Sequence, residues 1–321
     1  MENRIKRALS GSPRLFAAAH YFERRFRRGT RTPFNLIRRD TSAIGQDVQY
    51  ALSYARGVIA LMERLGIAIA GTRVLELGPG PNLGPQLILA SLGAEVIVAD
   101  PFLTVWDPDY HRDLYSALAE RWEGPAEALT ATITAGSHEA RMTTLRDPAE
   151  DLASIPSGSI DFVFSNAVLE HVVDVTKVSA ETARVTRPGG LASHTIDLRD
   201  HRNFERPLEH IIHGERFFQA LVQIIGFELG NRLRSIEFWV AFERAGWRVL
   251  ERHVTIPAEP TYLEDATARL RRGSSPYRRW PSSDLARIGV QFLLRKDESE
   301  RGPLWREALE DRLAAIEALK S

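Results

Sequence analysis

Cysteine is absent from all 321 residues, which excludes disulfides, thiolate metal sites, iron–sulfur clusters and a cysteine nucleophile. Radical chemistry built on a three-cysteine cluster goes with them. A net charge of one sign is also lacking. The 42 Lys and Arg are offset by 42 Asp and Glu, so the whole chain has none of the cationic excess of a general nucleic-acid binder. Long apolar runs are missing too: the longest, FFQALVQIIGF at Phe217–Phe227, is closed by Arg216 and Glu228 and is too short to span a bilayer. The N-terminus has charge but no continuous apolar core leading to a small-residue cleavage site, so no signal peptide is expected and the cytoplasm is the expected location.

What is present suffices for a real core. At 44% hydrophobic content the chain fits one large α/β domain with insertions, or two domains. Short β-branched runs alternate with helical stretches, the pattern of a mostly parallel sheet covered on both faces. Strands are expected near Arg73–Leu77, Glu95–Asp100, Ala131–Thr134, Ile160–Ser165, Leu191–Ile196, Arg248–Ile256 and Gly289–Arg295. Helices are expected at Asn82–Leu92, Tyr110–Trp122, Pro148–Ala153 and Thr176–Val185. No clear crossover helix separates the last two strands, so they are expected to pair antiparallel. The fold class is therefore α/β, a Rossmann-like doubly wound sheet of seven strands.

Flanking regions are added to this sheet. Residues 1–70 read as a helical N-terminal arm, with Val48, Leu52, Ala55, Ile59 and Met62 at helical spacing. Residues 71–297 read as the main domain, with insertions at about 199–234 and 257–284 over the carboxyl edge of the sheet, where insertions usually shape a substrate pocket. Residues 298–321 read as a charged C-terminal helix.

The stretch VLELGPGPNLG, Val74–Gly84, follows the first strand. Gly78 and Gly80 let the backbone turn sharply and approach a ligand, and the helix beginning near Asn82 aims its free amides at that ligand. Asn82 is a candidate N-cap. A dinucleotide fingerprint requires glycine at position 83, where Leu83 stands; the third glycine, Gly84, comes one residue late. Asp100 ends the second strand, where a carboxylate can accept both hydroxyls of a ribose.

Two later segments decide among adenosine cofactors. Together with LELGPG, SGSIDFVFSNAVLEHV (Ser157–Val172) and ARVTRPGGLASHTID (Ala183–Asp197) resemble the class I S-adenosylmethionine-dependent methyltransferases, in particular the small-molecule, type 11-like branch. The resemblance covers about Gly71 to Ile196. It implies S-adenosyl-L-methionine as cofactor, with Glu76 on the methionine amino group and Gly78, Pro79, Gly80 and Asn82 framing the methionine part. Asp100 would hold the ribose, Glu150 or Asp151 of DPAEDL would lie near the adenine, and Asn166 would close the methionine end. Pro79 and Pro81 stiffen the loop relative to the family, and Asn82 replaces a glycine, which Asn can do because it tolerates the left-handed backbone.

Methyl transfer to a hydroxyl needs alignment and removal of a proton. Candidate bases follow the fourth and fifth strands. Asp197, Asp200 and His201 of IDLRDHRNF lie just past a strand's carboxyl end, and His201 is the favoured base, oriented by Asp200 or Asp197. His171 of LEHV supports the cofactor loop or the acceptor floor, and His194, inside a strand, reads as structural; His210 and His213 are further candidates. Some relatives bind magnesium through a Glu-x-x-Glu-His arrangement. Ala167 occupies the place of its first glutamate, so no metal is expected.

The expected acceptor is a small molecule, a hydroxyl of a sugar, glycan or secondary metabolite. Methylation of a base amino group usually comes with a proline-rich, aromatic-ended tetrapeptide where this chain has SNAV, and cytosine C5 methylation needs the missing cysteine, so nucleic acid is not the expected acceptor. Alternatives stay open: an RNA or protein acceptor reached through the basic arm, or a non-catalytic methyltransferase-like module. Residues 1–40 hold eleven Arg or Lys against Glu2, Glu23 and Asp40. Within them Leu15, Ala19, Phe22 and Phe26 line one helical face, which either lies on an anionic membrane surface or packs on its own domain. Arg269–Trp280, RLRRGSSPYRRW, either serves an anionic acceptor or is a solvated face.

Overall fold

The computed structural model describes residues 41–225, 230–297 and 303–320. Helix α1 (Ile44–Arg64) precedes β1 (Arg73–Leu77), α2 (Gly84–Ser91), β2 (Glu95–Ala99), α3 (Pro108–Arg121), α4 (Glu127–Ala135) and β3 (Thr143–Leu145). Then come β4 (Ile160–Asn166), α5 (Val175–Val185), β5 (Thr186–Asp197), α6 (Glu209–Ile212), α7 (Glu215–Ile225) and α8 (Ser235–Arg244). The chain closes with β6 (Trp247–Pro257), α9 (Pro260–Arg272), α10 (Ser282–Leu285), β7 (Arg287–Lys296) and α11 (Pro303–Lys320). The strand order is β3-β2-β1-β4-β5-β7-β6 in a seven-stranded sheet. β1 runs parallel to β2 and β4, and β2 to β3, whereas β6 and β7 pair antiparallel, as expected from the missing crossover helix.

Two compact units divide the described chain. One comprises residues up to 166 with 181–193. Its core gathers Val74 of β1, Val96 and Val98 of β2 and Phe162 and Phe164 of β4 under α1–α3. β1 shows why a parallel strand reads as an unbroken apolar run: Val74, Leu75 and Leu77 are all fully buried, and water reaches neither face. Asp107 starts α3, its carboxylate accepting from the Asp109 amide at 3.1 Å with Pro108 in the first turn. The other unit comprises 167–180 and the residues from 194 onward. It holds a core of Leu208, Ile211, Leu270, Tyr277, Trp280 and Leu285, so the segments read as insertions are packed structure.

The structure corrects two elements. The strand expected at Ala131–Thr134 is the end of α4. EALTATITA is rich in β-branched residues, but Ala128, Leu129 and Thr132 bury one helical stripe, and the Thr130 and Thr134 hydroxyls donate to carbonyls four residues back. The third strand is Thr143–Leu145, three residues long. The helix expected at Pro148–Ala153 is a turn, closed by the Asp151 amide donating to the Pro148 carbonyl at 2.9 Å.

Candidate functional site

The loop after β1 turns through two glycines of positive φ, Gly78 at 59° and Gly80 at 78°. The Gly78 amide donates to the Ala99 carbonyl at the end of β2 at 3.0 Å, which ties the loop to the carboxyl edge of the parallel strands. A Cβ at Gly80 would meet nothing within 4 Å. The backbone there faces open space, and Gly80 serves the conformation. Gly84 serves packing instead: a Cβ on it would come within 2.5 Å of Leu118 on α3. The third glycine of the motif therefore lets two helices approach and needs no left-handed backbone of its own.

Asn82 is not the helix cap. The cap position of α2 belongs to Leu83, which takes the left-handed conformation at φ 51° with its side chain fully buried. Asn82 holds that turn from one residue earlier, its side-chain oxygen accepting from the Gly84 amide at 3.0 Å. Its own carbonyl accepts from the Tyr115 hydroxyl at 2.6 Å. Tyr115 in turn contacts His138 Nε2 at 2.9 Å, and Trp106 and His111 pack against the same rings. Burial lowers the His138 imidazole to about 3, so this scaffold behind the loop is uncharged at neutral pH.

Glu76 lies near the end of β1, 2% exposed. Its carboxylate accepts from the Tyr54 hydroxyl of α1 at 2.9 Å and from the Gln86 side-chain amide of α2. Burial raises it to about 7, with both hydrogen bonds pulling the other way. Among the described residues no Lys or Arg pairs with it, and an anion held this deep is set to receive a cation. Tyr54 and Gln86 were not foreseen. Tyr50 and Tyr54 stand one helical turn apart on α1 with stacked rings; burial and the Glu76 charge raise the Tyr50 hydroxyl, and the side chain of Asn166 at the end of β4 offsets part of that rise.

Asp100 directly follows β2 and is buried; one carboxylate oxygen accepts from the Phe102 amide at 2.7 Å, which fixes its direction. Glu150 is half-buried and Asp151 exposed in the turn that replaces the expected helix. With β3 now at Thr143–Leu145, the first carboxylate past that strand is Asp147, which the sequence reading passed over; it accepts from the Ser154 amide at 3.3 Å. The cofactor residues Glu76, Gly78, Pro79, Gly80, Asn82, Asp100, Glu150, Asp151 and Asn166 all belong to the first unit.

The proton-handling candidates belong to the second unit. Burial pushes the Asp197 carboxyl up, but the hydrogen bonds from Arg199, with the His201 ring close by, more than reverse this and hold it well below the usual range. Arg199 grips it bidentately at 2.9 and 2.7 Å. His201 Nε2 lies 3.6 Å from Asp197 Oδ2, and the His201 ring sits 4.8 Å from that of His171. Asp200 does not orient His201: it is 1% exposed and its carboxylate is committed to the side chain and backbone amide of Arg202. His194 is fully buried, stacked on Phe242 and lowered by burial to about 3, and His210 is likewise lowered to about 3, chiefly by burial.

Glu170, between Leu169 and His171, was not among the sequence candidates. It is 4% exposed, raised to about 8 chiefly by burial, and lines a pocket with Asp197, Arg199, His201, His210 and Asn231. Asn231 clamps this turn, its side-chain amide donating to the Leu169 and Val172 carbonyls at 2.7 and 3.2 Å. Gly230 beside it has φ 76°, and a Cβ there would come within 3.1 Å of the Glu170 carbonyl.

Residues 123–193 match the family model of a methyltransferase domain. An uncharacterized methyltransferase of Mycobacteroides abscessus is 31% identical over 153 residues, 47% of this chain and 50% of the relative. Another, of a Mycobacterium species (strain KMS), is 44% identical over 148 residues, 46% of this chain and 48% of the relative. The chain thus spans about half the length of these curated relatives. Among solved structures, a geranyl diphosphate C-methyltransferase of Streptomyces coelicolor, in complex with Mg2+, geranyl-S-thiolodiphosphate and S-adenosyl-L-homocysteine, aligns over 76% of this chain and 75% of its own, with 13% identity and a TM-score of 0.45.

Proposed function

We propose that this chain, a member of the class I S-adenosylmethionine-dependent methyltransferases, methylates a hydroxyl of a small-molecule acceptor, a sugar, glycan or secondary metabolite. The observation that carries the cofactor half of this reading is the buried Glu76 carboxylate at the mouth of a loop opened by Gly78 and Gly80. Glu76 suits the ammonium of the methionine part: the incoming cation compensates the cost of burying the anion. Asp100, aimed by the Phe102 amide, suits the ribose hydroxyls, and Asn166 with Tyr50 suits the far end of the methionine part. The bound cofactor supplies a methyl group on a positively charged sulfur.

The chain's remaining task is the acceptor proton. His201 suits that task, with Asp197 Oδ2 lying 3.6 Å from its Nε2 and Arg199 holding Asp197 in position. His171 packs on His201 and supports it. Asp200 holds the turn that carries His201 and has no part in the transfer. The basic arm and the peripheral membrane contact considered for it fall in residues 1–40, outside the described residues; among the described residues no helix is long and apolar enough to cross a membrane.

Two measurements test this. Calorimetry with S-adenosyl-L-homocysteine should give saturable binding to the wild type, weakened in Asp100→Ala; equal affinity would remove the ribose assignment. A radiolabelled methyl-transfer screen against sugar, lipid and RNA pools should label the sugar or metabolite pool. Label in RNA alone would overturn the small-molecule reading.

A further inference from the structure

We infer that Glu170, His171 and His201 form a binding site for one divalent transition-metal ion. Each offers one donor atom, and the three donors lie within 4.8 Å of one another. An ion with bonds of about 2.1 Å in tetrahedral array needs its ligand atoms about 3.4 Å apart. Small side-chain rotations therefore close the set.

A second, independent feature points to the same spot. Glu170 Oε2 is buried and has no hydrogen-bond partner, although the other oxygen of the carboxylate accepts from the Asp197 amide at 3.2 Å. A buried carboxylate oxygen with nothing to bind loses its hydration without replacement. The charge of Arg199 acts on Glu170, but Arg199 is held bidentately by Asp197 and makes no hydrogen bond to Glu170. An ion would give Glu170 Oε2 the partner it lacks. The His201 Nε2 atom is also buried without a hydrogen bond.

The donor set selects the class of ion. Two imidazoles and one carboxylate suit Zn2+, Co2+ or Fe2+, whereas Mg2+ and Ca2+ call for oxygen ligands. The sequence expectation of no metal rested on Ala167, which removes the first glutamate of a local arrangement. His201, thirty residues beyond His171, brings the third donor from the end of another strand. Glu170 and His201 line the pocket, and Asn231, clamping the turn that bears Glu170 and His171, gives the cluster the fixed backbone that a ligand site needs.

Three protein ligands leave an open position for an oxygen of the acceptor. That use rests on the methyl-transfer reading, while ion binding does not. In the ion-loaded chain His201 is a ligand, and the proton-accepting role given to it above belongs to the ion-free chain.

The test uses untagged, chelator-treated full-length protein, titrated with ZnCl2 by calorimetry and with CoCl2 by visible absorption. One equivalent of Zn2+ and the absorption of low-coordinate Co2+ are expected. Glu170→Gln and His201→Gln should each weaken binding at least about tenfold, and His213→Gln, outside the cluster, should not. S-adenosyl-L-homocysteine affinity and the far-ultraviolet circular dichroism of each variant show that it is folded. Absent Co2+ absorption, or Zn2+ binding unchanged in both cluster variants, would overturn the site. Failure of S-adenosyl-L-homocysteine to bind while Zn2+ still binds would sink the methyl-transfer reading alone.

Discussion

Replacing Glu76 with Gln separates what that residue does for the fold from what it does for the ligand. Burial raises the carboxyl from 4.5 to about 7. At 1.36 kcal/mol per unit, the difference amounts to about 3 kcal/mol. Because the folded value lies above the unfolded one, the folded ligand-free chain binds the proton more tightly. The stabilising contribution is fully present below about pH 4.5 and is lost as pH rises through about 7. At pH 8.5 the wild type therefore carries the whole cost of a buried anion. Glu76→Gln removes that cost but gives up one acceptor for the paired donors of Tyr54 and Gln86, at about 1 kcal/mol. A net gain of about 2 kcal/mol follows, a rise of a few degrees in Tm for a domain of this size. At pH 5 the wild-type carboxyl is largely protonated, and the gain should vanish. The same variant should bind S-adenosyl-L-homocysteine about 10- to 150-fold more weakly, the range for losing a hydrogen bond to a charged group. Thermal unfolding of both proteins without ligand at pH 5 and 8.5, with calorimetry at pH 8.5, checks the two halves together. An equal difference in Tm at both pH values, or undiminished affinity, would refute the account of Glu76.

Other substitutions probe the remaining assignments. Asp100→Ala should weaken S-adenosyl-L-homocysteine about tenfold, through loss of hydrogen bonds worth about 0.5–1.5 kcal/mol each, with far-ultraviolet circular dichroism unchanged. His201→Ala in chelator-treated protein should lower turnover about 10²–10⁴-fold, measured at saturating acceptor; a near-normal rate would remove the proton-accepting role. Leu83→Ala should cost about 2–5 kcal/mol in chemical denaturation, because it empties a fully buried position, and a loss under 1 kcal/mol would show that the loop collapses to fill the space.

The fold was largely legible because the central parallel strands, buried on both faces, leave continuous apolar runs, and the antiparallel β6 leaves an alternating one. Arg73–Leu77 is read to the residue, and β2, β4, β6 and β7 fall within two residues of expectation. β5 is longer by five residues at its start, since Thr186–Gly190 carries none of the apolar signal of a buried strand. α4 misled because its threonines satisfy their hydroxyls inside a helix, which composition does not reveal. The true third strand is too short and too exposed to leave a periodic signal.

By itself the sequence determined the parallel α/β architecture, the glycine turn after β1 and the acidic residues at the strand ends, because local backbone geometry and strand burial restrict which residues can occupy those places. The tertiary structure decided the partners. Tyr54 from α1 and Gln86 from α2 meet at Glu76, Asp197 and not Asp200 flanks His201, and Glu170 is left with an oxygen unmatched beside two histidines. Burial and hydrogen bonding set the charge state of Glu76 and Glu170, and both arise from residues far apart in the chain, so no reading of local sequence could supply them.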